Sequence, residues 1–354
     1  MQNILSLLPE ELEALMGQIG EPKYRARQLF EGLHKGLSPE EISNVEKKTV
    51  AKLETVTIYH LPTPRRRLVS AIDGTIKYLF ELSDGNCVEA VVMHYKHGST
   101  ICISSQVGCR MGCRFCASTI GGRVRDLTPA ELIGQVIAAQ KDMTAHDPEA
   151  RIGGIVMMGI GEPLDNFDNV IQFLKLVNAQ GGICIGYRHI SLSTCGLVDK
   201  IYELAKYDFP ITLSISLHAA DDTTRSSIMP INNKWGVDEL LCACKDYFAT
   251  TGRRISFEYT LIKGKNDSIP AAEQLAAVLN SRLRSRSDTM PIHVNLIPVN
   301  PVEESGFDRS DDKAIKAFAA TLEKKGIRAT VRRKLGADIN ASCGQLRRAE
   351  QNNH

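Results

Sequence analysis

From about residue 100 onward the chain alternates short β-type segments with helical ones, and no other feature narrows its fold so far. Strands are expected at Ile101–Ser105, Ile152–Met158, His189–Ser193, Ile211–Ser216, Ile255–Leu261 and Ile292–Ile297. The intervening helices are expected from Thr128 to about Lys141, from about Asp168 to Ala179, and near Leu197–Ala205, Val237–Thr251 and Pro270–Leu283. The first of these announces itself, with Thr128 as N-cap, Pro129 in the first turn and Glu131 three residues on. A last helix (Asp311–Lys325) and strand (Arg328–Arg333) complete the series. Such alternation builds parallel strands joined by helical crossovers, which predicts an α/β fold curled into a partial or full (βα)6 barrel. Functional residues of such barrels gather at the carboxyl ends of the strands. That rule selects the loop after the first strand, Gly161 and Glu162 after the second, and Ser193 at the end of the third. It also selects Ser216, Leu217 and His218 at the end of the fourth strand and Asn295 near the end of the sixth.

The loop after the first strand reads Cys109-Arg-Met-Gly-Cys113-Arg-Phe-Cys116, a C-x3-C-x2-C pattern flanked by Gly108. Structural zinc asks for four protein ligands, and no fourth Cys or His follows at ligand spacing. A [4Fe–4S] cluster ordinarily takes four thiolates. Held by three, it leaves one iron open to a small molecule. The pattern, with Phe115 just before the last cysteine, is similar to the signature of the radical S-adenosylmethionine (SAM) enzymes, a resemblance that implies the partial form of the (βα)6 barrel. Glu162 on its Gly-rich turn suits the ammonium of a bound methionine, and Ser193, His218 and Asn295 suit hydroxyls and carboxylate. At this stage His218 reads equally well as a structural histidine.

The remainder of the chain adds segments before and after the barrel. Residues 1–60 read as a small helical domain: Leu5, Leu8, Leu12, Leu15 and Met16 recur at helical spacing, Tyr24–Leu33 forms a second helix, and Ser38-Pro-Glu-Glu41 is a capping box opening a third. Arg25 and Arg27 there suit either RNA phosphate or an ordinary solvated face. Residues 61–95 read as a linker, with Pro62, Pro64 and Arg65-Arg66-Arg67, followed by short strands around Thr75–Leu82 and Val88–Tyr95. The barrel is expected over 96–335 and a tail over 336–354. Net charge is only +2, from 43 basic and 41 acidic residues, so composition does not announce a nucleic-acid binder. The first twenty residues carry Glu10, Glu11 and Glu13, unlike a secretion signal, and no apolar run reaches membrane-spanning length. Ten cysteines in such a chain suit a reducing cytoplasm, where thiols serve metals and catalysis.

Two cysteines stand apart from the cluster loop. Cys102 lies seven residues before it, and Cys343 sits in the tail segment Ala341-Ser-Cys-Gly-Gln-Leu346. The pair permits covalent chemistry with disulfide release, or it is two inert thiols; sequence leaves both open. Glu89, in Cys87-Val-Glu-Ala-Val-Val-Met93, reads alone as an edge-strand carboxylate.

Taken together, the sequence closely resembles the bacterial dual-specificity adenine-C2 methyltransferases of ribosomal and transfer RNA. The resemblance rests on Cys102–Cys109, the cluster loop, Met158-Gly-Ile-Gly-Glu-Pro163, Ser191-Leu-Ser-Thr194, Ser216-Leu-His-Ala219, Ile228-Met-Pro-Ile-Asn232, Phe257-Glu-Tyr259, Asn295-Leu-Ile-Pro298 and Ala341–Leu346. It spans nearly the whole chain. It implies a cluster held by Cys109, Cys113 and Cys116, and two SAM per turnover, bound by Gly161, Glu162, Ser193, Ser216, Leu217, His218 and Asn295. One SAM methylates Cys343; the other, cleaved at the cluster, activates that methyl for addition to carbon 2 of adenine. Cys102 then attacks Cys343 to release the product, and Glu89 takes the proton. The implied partners are 23S ribosomal RNA at the peptidyl-transferase centre, transfer RNA beside the anticodon, and an electron donor such as flavodoxin. The enzyme is expected to be a cytoplasmic monomer without membrane attachment. Ser342, Asn340 and Cys195 depart from the residues common in the family, and none removes a catalytic group. The rival is the related carbon-8 methyltransferase that confers antibiotic resistance; Pro163 after Glu162 favours the carbon-2 group. A radical SAM enzyme acting on another substrate is the broader alternative.

Overall fold

The computed structural model describes residues 1–96, 98–284, 290–300 and 306–341. Among them, ten strands form one sheet: β1 (Thr63–Val69), β2 (Ile76–Glu81), β3 (Cys87–Tyr95), β4 (Gly98–Cys102), β5 (Ile152–Met157), β6 (Ile190–Thr194), β7 (Thr212–Ser216), β8 (Ile255–Leu261), β9 (His293–Pro298) and β10 (Arg328–Val331). Their order across the sheet is their order along the chain. β1 to β4 pair antiparallel, and β4 to β10 pair parallel through helical crossovers. The loop after β4 and Arg332 after β10 line one cavity, so the parallel part of the sheet curls on itself. This is a partial α/β barrel, one of the two forms, partial or full, that the strand–helix alternation predicted.

Parallel strands covered on both faces usually read as continuous apolar runs. Here they alternate. In β8, Ile255, Phe257, Tyr259 and Leu261 alternate with Ser256, Glu258 and Thr260. Thr212, Ser214 and Ser216 in β7 take the same phase. The apolar set joins the core formed with helices Val198–Leu204, Val237–Thr251 and Ile269–Leu283. The polar set faces the inside of the curl, where its members bond to one another: Ser191 with Ser214 at 2.9 Å, and Asn295 to Glu258 at 2.8 Å.

Three segments differ from expectation. Residues 61–95 are not a linker followed by two strands, because Thr63–Val69 pairs with β2 as an edge strand. Its register shifts between Pro64 and Arg66, where an edge tolerates the missing N–H of proline. The Ser38 capping box closes only a 3-10 turn, Pro39–Glu41, and the helix after it begins at Lys47. A helix absent from the sequence reading, Asp222–Ile228, follows β7. The amino-terminal segments are not detached from the barrel. Leu12, Met16, Leu29, Phe30 and Leu53 belong to the same apolar core as the barrel helices. Arg25 is buried against Glu46 and Glu21 rather than displayed to solvent, and Arg27 pairs with Glu31 on the surface. Among the described residues, no helix is long and apolar enough to cross a membrane.

Candidate active site

The carboxyl ends of the strands open onto two adjoining cavities, of about 200 and 330 Å³, which share Phe115, Cys116, Thr260, Ile297 and Arg332. The smaller holds Cys109, Cys113, Cys116, Gly161, Glu162, Ser193, Ser216 and His218 together in its wall.

The turn after β5 explains why glycine precedes Glu162. Gly159 donates its N–H to Ile103 O, and the amides of Ser105 and Gln106 both donate to Ile160 O, so this turn lies against the chain leading to the cysteine loop. Gly161 adopts φ +111°, and a Cβ there would stand 2.6 Å from Ser105 Oγ and 2.7 Å from Gln106 N. Glu162 is 4 % exposed. Its carboxylate accepts N–H bonds from Cys195 at 2.7 Å and Leu164 at 3.0 Å, while burial pushes its pKa above the ordinary range. Each oxygen retains acceptor capacity for a ligand cation.

His218 sits at φ +58°, a conformation rare for a residue with a side chain. Its Nδ1 accepts the N–H of Thr260 at 2.9 Å, and its ring meets the edge of Phe115 from the cysteine loop, centroids 4.9 Å apart. Burial lowers its pKa to about 3, so the ring is neutral with the proton on Nε2. Leu217 is fully buried and contributes its backbone: its carbonyl accepts from Arg225. Asn295 does not line either cavity; it hydrogen-bonds Glu258, which does.

Sequence reasoning passed over Arg225, Gln106 and Glu258. Arg225 is wholly buried beneath the strand ends, its guanidinium donating to the carbonyls of Leu217 (3.0 Å), Cys195 (2.7 Å) and Ser216 (3.2 Å) and to Asn232 Oδ1 (3.0 Å). Gln106 joins the two loops: its Oε1 accepts the Glu162 N–H, and its Nε2 donates to Asp126 and Asp165. Glu258 was legible as the inward member of Ile-Ser-Phe-Glu-Tyr-Thr-Leu, where polar residues fall on every second position.

The larger cavity is lined by Val91, Met93, Cys102 and Ala341, with Arg309, Arg332, Arg333 and Lys334 also in its wall. The sheet register sets a row that meets the cavity at Val91 and Cys102: Lys77 opposes Val91, Val91 opposes Cys102, and Cys102 opposes Val156. Cross-strand partners share a face, and so do residues two apart along a strand. Glu89 is therefore on the face of Cys102, and its carboxylate pairs with the buried Lys77 ammonium at 3.1 Å. Cys343 lies outside the described residues, as does Ser342; the described tail ends at Ala341.

Comparison with known proteins identifies the cofactors of such a site. The sequence profile described as the Radical SAM superfamily matches residues 103–275. A protein of Clostridium novyi (strain NT) named probable dual-specificity RNA methyltransferase RlmN is 50% identical over 350 residues, covering 98% of both chains. One of the same name from Clostridium acetobutylicum is 48% identical, covering 98% of this chain and 97% of its own. The crystal structure of a radical SAM methyltransferase from Sphaerobacter thermophilus superposes with a TM-score of 0.90 at 39% identity, covering 98% of this chain and 99% of that one. Radical SAM enzymes use SAM and a [4Fe–4S] cluster, and the donor set here fits that pair. Three thiols line one cavity, and the charges of Cys116 and Cys109 each raise the pKa of Cys113, although burial is the larger cause. Burial likewise pushes the Cys109 thiol up to about 12. On near-full-length identity and a shared fold, the chain belongs to the RlmN family of dual-specificity RNA methyltransferases within the radical SAM superfamily.

Proposed function

We propose that the protein methylates carbon 2 of adenosine in 23S ribosomal RNA and in transfer RNA, with Cys343 as a methyl carrier. The observation that carries this reading is the pair of adjoining cavities, one walled by the three loop cysteines and the other by Cys102 and the tail residue Ala341. In this reading Cys109, Cys113 and Cys116 hold the cluster. Gly161, Glu162, Ser193, Ser216, Leu217, His218 and Asn295 bind SAM: Glu162 takes the methionine ammonium, and the backbone around Leu217 and His218 shapes the pocket. Bound together, cluster and SAM supply the electron transfer and the carbon-centred radical that can draw hydrogen from an unactivated methyl group.

The protein's own residues do the rest. Cys343 would receive a methyl group from one of two SAM used per turnover and carry it as S-methylcysteine, the unactivated methyl on which that radical chemistry would act. Once the carbon is joined to adenine C2 and the surplus electron has passed back to the bound cluster, the Cys102 thiolate would attack the sulfur of Cys343: the S–S bond forms, the S–CH2 bond breaks with its electron pair going to the former methylene carbon, and that carbon takes up a proton to become the methyl group. Glu89 accepts the proton from C2. Support for that assignment comes from the register, which sets Glu89 and Cys102 on one face of neighbouring strands. The partners of this reading are the two RNAs and a low-potential electron donor such as flavodoxin. We place the enzyme in the cytoplasm as a monomer, with residues 1–60 helping to hold RNA and Arg332, Arg333 and Lys334 suited to phosphate at the cavity rim.

The test is direct. Protein with reconstituted cluster is given SAM, reductant and unmodified RNA, and the digested nucleosides are compared with C2- and C8-methyladenosine standards. The expected product is the C2 isomer, lost on Cys343→Ala, with a methyl group on the Cys343 peptide of the wild type. The C8 isomer would assign the chemistry to the rival class, and an unmodified Cys343 in active protein would remove the carrier mechanism.

A further inference from the structure

The described part of the tail is fastened to the turn between β1 and β2, which has no role in the reaction as set out above. Asp338 accepts two bonds from that turn: Ser70 Oγ donates to Oδ1 at 2.7 Å and the Ala71 N–H to Oδ2 at 2.8 Å. In the other direction, Gly336 donates its N–H to Asp73 Oδ2 at 2.9 Å. Asp73 is itself held by the Thr75 N–H through Oδ1, so the turn forms its own receptor geometry. Between these contacts the tail folds back on itself, with the amides of Ile339 and Ala341 both donating to Gly336 O. Gly336 and Asn340 make this possible by adopting φ +59° and +46°. Glycine does so at no steric cost and asparagine at little.

The third attachment is the Lys77 ammonium. It is fully buried, donates to the Asn340 carbonyl at 2.8 Å, and pairs with Glu89 at 3.1 Å. A buried ammonium is costly unless its donors are taken up. Tail departure would strip one acceptor from it, so the lysine favours the seated tail. Ala341, the next residue, packs with Cys102, Val91 and Met93.

We infer that the β1–β2 turn and Lys77 form a dock for residues 336–341, and that Lys77 is a positioning residue whose one ammonium aligns both the tail and Glu89. The dock fixes where the tail enters the cavity beside Cys102. Its meaning for catalysis rests on the proposed roles of Cys343 and Glu89.

The experiment is the equilibrium between the Cys102–Cys343 disulfide and the two thiols in glutathione redox buffer. One glutathione disulfide is consumed and two glutathiones are released for each bond formed. The fraction is read by alkylation and peptide mass on the full chain with its cluster. Wild type is expected to form the bond, and Asp338→Asn and Asp73→Asn each to lower its equilibrium constant on the order of tenfold, the scale of a lost charge-assisted hydrogen bond, at unchanged melting temperature. Lys77→Met is expected to lower it further. In single turnovers from pre-methylated Cys343 it should also shift the pH profile of transfer to RNA, a readout that mere loosening would not move. Should Lys77→Met fail to fold, the two aspartate variants decide the matter, since both lie on exposed turns. Wild-type values in those variants, or no disulfide in the wild type, would overturn the dock. An intact dock in protein whose Cys343 is never methylated would instead overturn the carrier reading alone.

Discussion

At the scale of single residues, the site depends on groups that satisfy backbone atoms as much as on groups that could touch SAM. Arg225 illustrates this. The residue lies in Thr224-Arg-Ser226, a stretch with no strand-end position and no motif of its own, so nothing local marked it. Its importance comes from burial and from the carbonyls of Cys195, Ser216 and Leu217 converging on it. Arg225→Met is expected to leave those acceptors unmet and to cost roughly 3 kcal/mol or more, read as a shift in urea midpoint. Arg225→Lys should recover only part, because one ammonium cannot reproduce the planar fork. Gly161 was legible, since its place before Glu162 on a strand-end turn required no partner to be known. What sequence could not give was the opposing surface, Ser105 and Gln106, far away along the chain. Gly161→Ala is expected to destabilise the protein by about 1–3 kcal/mol through the backbone alone. It should also weaken SAM binding in equilibrium dialysis, because relief of the clash displaces the Glu162 turn.

At the scale of elements, local signals were read well where they were sufficient to build the element. Val237–Thr251 matches its expected limits, because its apolar spacing and the glycines at both ends leave little choice. Ser38-Pro-Glu-Glu41 shows the limit: the capping box forms, with Glu41 bonding the Ser38 N–H, but no apolar face follows to sustain a helix. β1 was missed for the opposite reason. Its proline, Pro64, and its three arginines argue against a central strand, yet they suit an edge, where charge discourages pairing with another molecule. The inward polar stripe of β7 and β8 was legible as alternation but could be assigned a face only once the sheet was known to curl. The helix Pro129–His146 offers a test of cap energetics. Thr128 accepts the Glu131 N–H, and Glu131 bonds the Thr128 N–H at 2.9 Å while gripping Arg125 with both oxygens at 2.8 Å. Thr128→Ala should cost about 1 kcal/mol in chemical denaturation. Glu131→Ala should cost clearly more, since it also strands the partly buried Arg125, which otherwise links this helix to Asp84.

At the scale of the whole molecule, the sequence suggested four parts in series, and the structure joins their described residues through shared packing. The amino-terminal helices lean on the barrel through His34, whose Nδ1 accepts the Ile183 N–H at 3.3 Å and whose Nε2 is buried without a hydrogen-bond partner. Gly182 permits this contact, because a Cβ there would stand 2.6 Å from that Nδ1. Burial lowers the His34 pKa to about 4. The folded protein thus holds His34 neutral where an unfolded chain would bind a proton near pH 6.5. Because the folded pKa is the lower one, the stability at stake is fully present above pH 6.5 and is lost as pH falls from 6.5 towards 4. The unfolding free energy should therefore drop by up to about 1.4 kcal/mol per pH unit across that window on account of this one histidine. His34→Gln, which cannot take up a proton, should remove that increment from the slope and leave the slope above pH 7 unchanged. If instead the two proteins titrate in parallel from pH 7 to 4.5, the amino-terminal helices are not held through a neutral imidazole. Amide exchange at Ile183 should follow the same window in the wild type, because protonated Nδ1 can no longer accept that N–H, and its protection should fall before that of the β5–β8 strands.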